Sequence, residues 1–113
     1  MVRQFVETTV FTKRWIEIGL DDDDLFALQK YLVKIPSAGD VIPGSGGARK
    51  LRFALPNKGK SSGARIIYVY VVQDEQIHLL LCYTKSKQET LTEIQKQQLK
   101  KLIKTIKEGK KNG

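Results

Sequence analysis

Basic side chains lie at positions in the second half of the chain where they could act on a phosphate group. Arg65 begins one apolar stretch, and Lys85 follows the next apolar stretch along the chain. Arginine offers a planar fork of N–H donors to phosphate oxygens, and lysine supplies a point charge. Such groups stabilise the negative charge that develops when a phosphodiester reacts. The further candidates for this cluster are Lys58, Lys60, Lys87, Arg49, Lys50 and Arg52.

Other kinds of catalytic centre are limited by the supply of cysteine and histidine. Cys82 is the only cysteine and His78 the only histidine, so we expect no intramolecular disulfide and no zinc site built on Cys/His clusters. A serine or cysteine nucleophile would need His78 as its base. Because His78 lies within an apolar stretch, we interpret it as a histidine satisfied by its neighbours rather than a catalyst.

Length and charge indicate one small domain with a polyanionic partner. The chain has 113 residues and a formal net charge of +8, which is large for a domain of this size. The first 36 residues carry a slight acidic excess, so the surplus of lysine and arginine lies in the remaining two-thirds. We therefore expect one basic face on a domain of residues 1–108, followed by a disordered basic tail of residues 109–113.

A short strand and two helices are predicted in the N-terminal third. Residues 3–8 alternate like a strand, and a helix follows that ends at Gly19. Four aspartates, residues 21–24, precede a second helix. We interpret them as a helix cap, because aspartate accepts hydrogen bonds from the first N–H groups of a helix; a metal-binding cluster is the alternative. The apolar residues of the two helices are Phe11, Trp15, Ile18, Leu25, Leu28, Leu32 and Ile35.

Three strands and a final helix are predicted after a loop rich in glycine and proline. Residues 50–55 alternate between cationic and apolar side chains, which is typical of a half-buried strand. Residues 65–72 and 77–83 are apolar, and their short connection requires an antiparallel pair. Residues 90–93 match a capping box that opens the last helix. The order β-α-α-β-β-β-α predicts the α+β class, with an antiparallel sheet packed against two N-terminal helices and one C-terminal helix.

Two glycine-rich segments are similar to nucleotide-binding loops, and we interpret both as ordinary loops. Residues 54–61 differ by one residue from a phosphate-binding loop, but a strand follows where that motif needs a helix. No helix follows residues 44–47, so glycines there are expected to adopt positive φ angles. The lysine-rich face of the last helix is interpreted as solvated, with weak attraction to an RNA backbone as the alternative.

The predicted sheet brings the basic residues together. The start of one strand and the end of its antiparallel partner lie at the same edge. Arg65 and Lys85 are therefore expected to be neighbours, with Lys58 and Lys60 in the nearby turn. Such a cluster suits an RNA backbone. Ordinary solvated strand ends are the alternative interpretation.

The sequence closely resembles the RelE/HigB toxins of bacterial type II toxin–antitoxin modules, and most strongly the HigB branch. The resemblance rests on GDVIPGSGGARKLRFALPNKGKSSGARIIYVY, residues 39–70, and on CYTKSKQETLT, residues 82–92, and it spans nearly the whole chain. It implies a RelE-like fold and an mRNA interferase, an endoribonuclease that cleaves mRNA on the ribosome and so inhibits translation. It also implies a cognate helix-turn-helix antitoxin of the HigA kind as a partner.

The resemblance implies a role for each basic residue. Arg65 matches the arginine that holds the transition-state phosphate, and Lys60 is a further catalytic candidate. Lys85 and Lys87 match the basic residue that acts as general acid or base. In this reaction the ribose 2′-OH attacks the adjacent phosphate, and no metal or cofactor is required. RNA binding is expected from Lys58, Arg49, Lys50, Arg52 and Tyr83.

The general base is left open by this resemblance. Gln88, Glu89 and Thr90 stand where some members of the family have a catalytic tyrosine. A lysine among other cations can exchange protons near neutral pH, because repulsion between like charges favours its neutral form.

Two other functions agree with the same sequence. One is a toxin of the ParE kind, which has the same fold but poisons DNA gyrase, and the other is an RNA-binding module without catalysis. The N-terminus has no secretory pattern, and the apolar stretches are too short to span a bilayer. We therefore expect a cytoplasmic protein with no membrane partner.

Overall fold

The computed structural model describes residues 1–54, 63–88 and 90–109, and within them the chain forms five strands and three α-helices. The predicted α+β class is confirmed. One short strand is added to the predicted order, between the second helix and the first long strand. The elements are β1 (Gln4–Glu7), α1 (Thr9–Ile18), α2 (Asp22–Lys34), β2 (Asp40–Val41), β3 (Arg49–Phe53), β4 (Ala64–Val71), β5 (Gln76–Thr84) and α3 (Glu93–Gly109).

The strands form one sheet in the order β1-β5-β4-β3-β2. The pairs β5–β4 and β4–β3 are antiparallel, as predicted, and the added strand β2 also pairs antiparallel with β3. At the other edge β1 pairs parallel to β5, so the sheet is mixed rather than wholly antiparallel. Alternation within a strand shows that it pairs, but not in which direction its neighbour runs. The parallel direction of β1 relative to β5 is therefore set by the path of the chain through α1 and α2.

Both faces of the sheet are covered, which explains why β4 and β5 are apolar on both sides. On one face Phe11 and Trp15 of α1 and Leu28 and Leu32 of α2 form a core with the even-numbered residues of β4, including Ile66. On the other face α3 packs Leu99 and Ile103 against the odd-numbered residues of β4, including Ile67. We call these the α1/α2 face and the α3 face.

The two N-terminal helices have the predicted caps. Gly19 ends α1 with φ +95°, a left-handed conformation that suits glycine. Asp21 caps α2: its carboxylate accepts a hydrogen bond from Asp24 N–H at 2.9 Å, and the Asp24 carboxylate accepts one from Asp21 N–H at 3.0 Å. This reciprocal capping box confirms the capping interpretation of the aspartate run.

The cap of α3 lies two residues later than predicted. The Thr92 hydroxyl accepts from Gln95 N–H, and the Gln95 side chain accepts from Thr92 N–H. The predicted box at residues 90–93, with Thr90 as its cap, is therefore wrong, although its place just before the last helix was right. With this later start, Leu91 is buried in the core before the helix begins, and Ile94 is exposed on α3.

The glycine-rich loop before β3 has the predicted backbone. Gly44, Gly46 and Gly47 have φ angles of +76°, +81° and +111°.

No helix of the described residues is long and apolar enough to cross a membrane.

Candidate nucleic-acid interface

Two arginines and a tyrosine form a row across the three central strands. Arg52 on β3 lies directly opposite Arg65 on β4, and Arg65 lies directly opposite Tyr83 on β5. Residues opposite one another in an antiparallel pair point to the same face, with Cβ atoms about 5 Å apart. Arg65 points to the same face of β4 as Ile67 and Val69, which belong to the core under α3. The row therefore lies on the α3 face.

A β-bulge brings Tyr83 into this row. The pairing of β4 with β5 shifts between Ile67 and Tyr68, which pair with Leu81 and Leu79 and leave Leu80 as the extra residue. Leu80 belongs to the core of the α3 face. Without this bulge Tyr83 would point to the opposite face, because a shift of one residue reverses every side chain of a strand.

The Arg52–Arg65 contact is unfavourable by itself. Like charges directly opposite one another destabilise a sheet, and Arg52 is exposed while Arg65 is half-buried. Two arginines in this arrangement favour binding of an anion, because each guanidinium offers a fork of N–H donors that suits phosphate oxygens.

Lys50 extends the cationic face, whereas Arg49 does not. Lys50 lies two residues before Arg52 and points to the same face, as the strand pattern predicted. Arg49 pairs with Tyr68 and points to the α1/α2 face. There its guanidinium donates to the carbonyl oxygens of Gly39 at 2.7 Å and Ser37 at 3.3 Å.

The two lysines after β5 lie at the end of the sheet where β4 begins. Thr84, the last residue of β5, pairs with Ala64 beside Arg65. The expected proximity of Arg65 to the segment that carries Lys85 and Lys87 is thus present in the register. Both lysines are exposed, in a turn closed by Lys87 N–H, which donates to the Thr84 carbonyl at 3.1 Å.

Lys87 also lines a cavity of about 650 Å³ between the end of β5 and α1. Tyr83 contributes to its wall from β5, and Arg14 and Glu17 contribute from α1, where they form an ion pair at 2.8 Å. The remaining predicted residues, Lys58 and Lys60, lie outside the described residues.

Sequence reasoning missed a buried hydrogen-bond network that positions the loop before β2. The Tyr68 hydroxyl donates to the Pro36 carbonyl at 2.8 Å and accepts from Gly39 N–H at 2.9 Å. Burial raises the pKa of Tyr68, so the hydroxyl stays protonated and keeps its donor. No sequence signal shows this network, because it depends on how the loop before β2 packs against Tyr68 of β4.

The cysteine and the histidine lie in structural environments. Burial raises the pKa of the Cys82 thiol to about 12, which keeps it in its unreactive neutral form. His78 is buried, and its Nε2 lies 3.1 Å from the Gln76 side-chain oxygen. Within the described residues, no three His, Cys, Asp or Glu side chains are grouped so that they could hold a metal ion.

Known proteins share this fold. No protein-family model matches the sequence. Among solved structures, the chain is similar to a mutant of the E. coli toxin RelE in the free state, with a TM-score of 0.54 and 18% sequence identity over 79% of this chain and 90% of that chain. It is also similar to the intact E. coli RelBE toxin–antitoxin complex, with a TM-score of 0.47 and 19% identity over 71% of this chain and 93% of that chain. The first likeness shows that the chain has a RelE-like fold.

Proposed function

We propose that the protein is the toxin of a type II toxin–antitoxin module, a HigB-like mRNA endoribonuclease that cuts mRNA on the ribosome and so inhibits translation. The observation that carries this proposal is the Arg52–Arg65 pair, two like charges opposite one another on the α3 face, with Arg52 exposed and Arg65 half-buried. An anion such as a phosphodiester would convert this unfavourable contact into a favourable one. The RelE-like fold supports the same assignment.

Arg65 is the residue proposed to hold the reacting phosphate. When the ribose 2′-OH attacks, negative charge builds up on the non-bridging phosphate oxygens, and a guanidinium already fixed on a strand stabilises that charge without reorganisation. Arg65 is half-buried between two neighbouring strands, whereas Arg52 is exposed. We therefore assign transition-state stabilisation to Arg65 and RNA binding to Arg52 and Lys50.

Lys85 and Lys87 are the proposed proton-transfer groups. One proton leaves the 2′-OH and another reaches the departing 5′-oxygen, so a general base and a general acid are needed. Both lysines follow β5 at the end of the sheet that holds Arg65. Lys60 is proposed as a further catalytic residue and Lys58 as an RNA contact. Tyr83 is largely buried, so its proposed contact with RNA is through the cavity that it lines. Arg49 is proposed to anchor the loop before β2, since its guanidinium donates to backbone carbonyls.

The partners follow from the same cationic face. A cytoplasmic ribonuclease of this kind needs an inhibitor, and we propose a cognate helix-turn-helix antitoxin of the HigA kind that masks the basic surface. The chain's net charge of +8 suits both an RNA substrate and an acidic inhibitory surface.

Cleavage on translating ribosomes tests the proposal. Purified protein is added to ribosomes that translate a defined mRNA, and new 5′ ends are mapped by primer extension. Wild type is expected to cut, and Arg65→Gln to lower the rate about 100-fold or more. Arg3→Gln is the matched control, because it removes one positive charge from an arginine that forms an ion pair with Glu75 at the far end of β5.

Three results would contradict the proposed function or its site. Intact mRNA together with trapped gyrase–DNA complexes would indicate a toxin of the ParE kind. RNA binding that weakens in Arg65→Gln, with no cleavage by wild type, would indicate a binding module. Equal cleavage by wild type, Arg65→Gln and Arg3→Gln would place the active site elsewhere.

A further inference from the structure

We propose that Asp40 and Lys50 form a subsite for the base of a nucleotide beside the reacting phosphate, and that this subsite selects bases with an exocyclic amino group over uracil. The subsite deepens the proposed ribonuclease function and rests on it. No step of the cleavage chemistry involves Asp40, so its role is substrate selection.

The two residues face each other across the outer pair of strands. Asp40 on β2 lies directly opposite Lys50 on β3, so the carboxylate and the ammonium group share the α3 face. Together they line a cavity of about 310 Å³, which is at the lower end of the range of small-molecule sites. The cavity is completed by Val41, Ile42, Pro43, Thr90, Leu91 and Lys96.

A carboxylate has no evident use in binding the RNA backbone, because it repels phosphate. Asp40 is exposed at the cavity rather than buried in the core, and an exposed ion pair with Lys50 would stabilise the fold little. A carboxylate is suited to accept hydrogen bonds from the amino groups of bases, as aspartate and glutamate do with the N4 amino group of cytosine. The charge pattern therefore fits the base rather than the phosphate.

The other groups in the cavity complement the rest of a base. The Lys50 ammonium can donate to a ring nitrogen or carbonyl acceptor next to the amino group. Ile42 and Leu91 belong to the hydrophobic core of the α3 face and form an apolar floor. Adenine, cytosine and guanine each place an amino group near an acceptor. Uracil places a carbonyl oxygen there, which the Asp40 carboxylate repels.

The subsite lies beside the proposed position of the phosphate. Lys50 and Arg52 point to the same face two residues apart along β3, a distance of about 7 Å. Arg52 lies opposite Arg65. A base in the cavity therefore belongs to a nucleotide directly flanking the phosphate at the arginine pair.

The backbone before Asp40 is fixed in place, as a selective site requires. Gly39 N–H donates to the Tyr68 hydroxyl, and the Gly39 carbonyl accepts from Arg49. A Cβ at Gly39 would lie 2.9 Å from the Lys50 carbonyl carbon and oxygen, so glycine is required for this close approach of β2 to β3. The two hydrogen bonds and the tight packing hold Asp40 in register with Lys50.

The experiment compares base preference between Asp40→Asn and wild type. Programmed ribosomes present mRNAs that differ at a single base of the codon in the A site, and single-turnover cleavage rates are measured for A, C, G and U at each position. At one position, wild type is expected to favour the three amino-bearing bases over uracil, and Asp40→Asn to reduce that preference about tenfold. The amide can donate to uracil as well as accept, so cleavage at uracil rises. Asp74→Asn, in the turn between β4 and β5, is the matched control.

A second measurement separates this subsite from the ribonuclease function. Amide chemical shifts of residues 40 and 50 are followed by NMR during titration with AMP, CMP, GMP and UMP. If RNA is never cleaved but these shifts respond to the three amino-bearing nucleotides more than to UMP, the ribonuclease function fails and the base site stands. If RNA is cleaved and Asp40→Asn has the wild-type preference, the base site is overturned. If no RNA is cleaved and all four nucleotides act alike, both are overturned.

Discussion

Arg52 and Arg65 lie directly opposite each other on neighbouring antiparallel strands, with both guanidinium groups on the face of the sheet that packs against α3. This arrangement opposes folding, because two side chains of like charge project from Cβ atoms that lie about 5 Å apart. It favours binding of an anion for the same reason. The pair therefore connects the stability of the protein to its proposed function, and the two can be measured separately.

Removal of one charge from this pair is expected to stabilise the protein. Arg52→Gln should raise the free energy of unfolding by about 0.2–1 kcal/mol at low ionic strength. The gain should shrink as salt screens the repulsion. Urea unfolding in low and high salt measures both effects. Arg3→Gln is the control, since it loses an ion pair with Glu75 and should gain nothing. A less stable Arg52→Gln protein would show that Arg52 forms favourable contacts in the folded chain.

Tyr68→Phe is expected to destabilise the protein by about 1–3 kcal/mol, because it leaves the buried Gly39 N–H without its acceptor and the Pro36 carbonyl without its donor. Thermal or urea unfolding measures the loss. Tyr70→Phe, two residues along the same strand, is the matched control and should cost less. Equal losses in the two variants would mean that the hydrogen bonds of the Tyr68 hydroxyl contribute no more to stability than the Tyr70 hydroxyl does.

The position of the α3 cap can be checked with two threonines. Thr92→Ala should destabilise the protein by about 1 kcal/mol, because the Thr92 hydroxyl accepts the Gln95 N–H at the start of the helix. Thr90→Ala should leave the free energy of unfolding nearly unchanged, since Thr90 precedes the capping box. The reverse order of effects would restore the box that the sequence predicted at residues 90–93.

Stability is expected to fall in alkaline solution, in part through Cys82. Burial raises the pKa of this thiol from 9.0 to about 12 in the folded protein. Above pH 9 the unfolded chain has lost a proton that the folded chain retains, so unfolding becomes more favourable as pH rises towards 12. The loss of stability between about pH 8 and about pH 10 should be smaller in Cys82→Ala than in wild type. Urea unfolding at both pH values measures it, and equal losses would show that Cys82 does not cause the decline.

The sequence determined the elements and the class of the fold. Helical spacing located α1 and α2, the aspartates at residues 21–24 marked the start of α2, and Gly19 marked the end of α1. Alternation along β3 placed Lys50 and Arg52 on one face of the strand and the buried Leu51 on the other face. These features are local: each depends on residues within a few positions of one another, so they can be read along the chain.

The sequence also placed the start of β4 beside the end of β5, because a short connection allows no other pairing. This rule predicts that Arg65 lies close to the segment of Lys85 and Lys87, and the register of β4 and β5 agrees. The roles assigned to these residues come from the resemblance to the RelE/HigB toxins and stay predictions. Lys58 and Lys60 lie outside the described residues, so their place in the site stays a prediction as well.

Only the tertiary structure decided which side chains face one another. The register of β3 against β4 set Arg52 opposite Arg65 and turned Arg49 towards the loop before β2. The bulge at Leu80 turned Tyr83 to the face of Arg65, and β2, too short to detect in the sequence, set Asp40 opposite Lys50. Register is fixed by packing of whole faces and by bulges, and a shift of one residue reverses every side chain. Local sequence therefore supplied the charges, and long-range pairing decided which of them form a site.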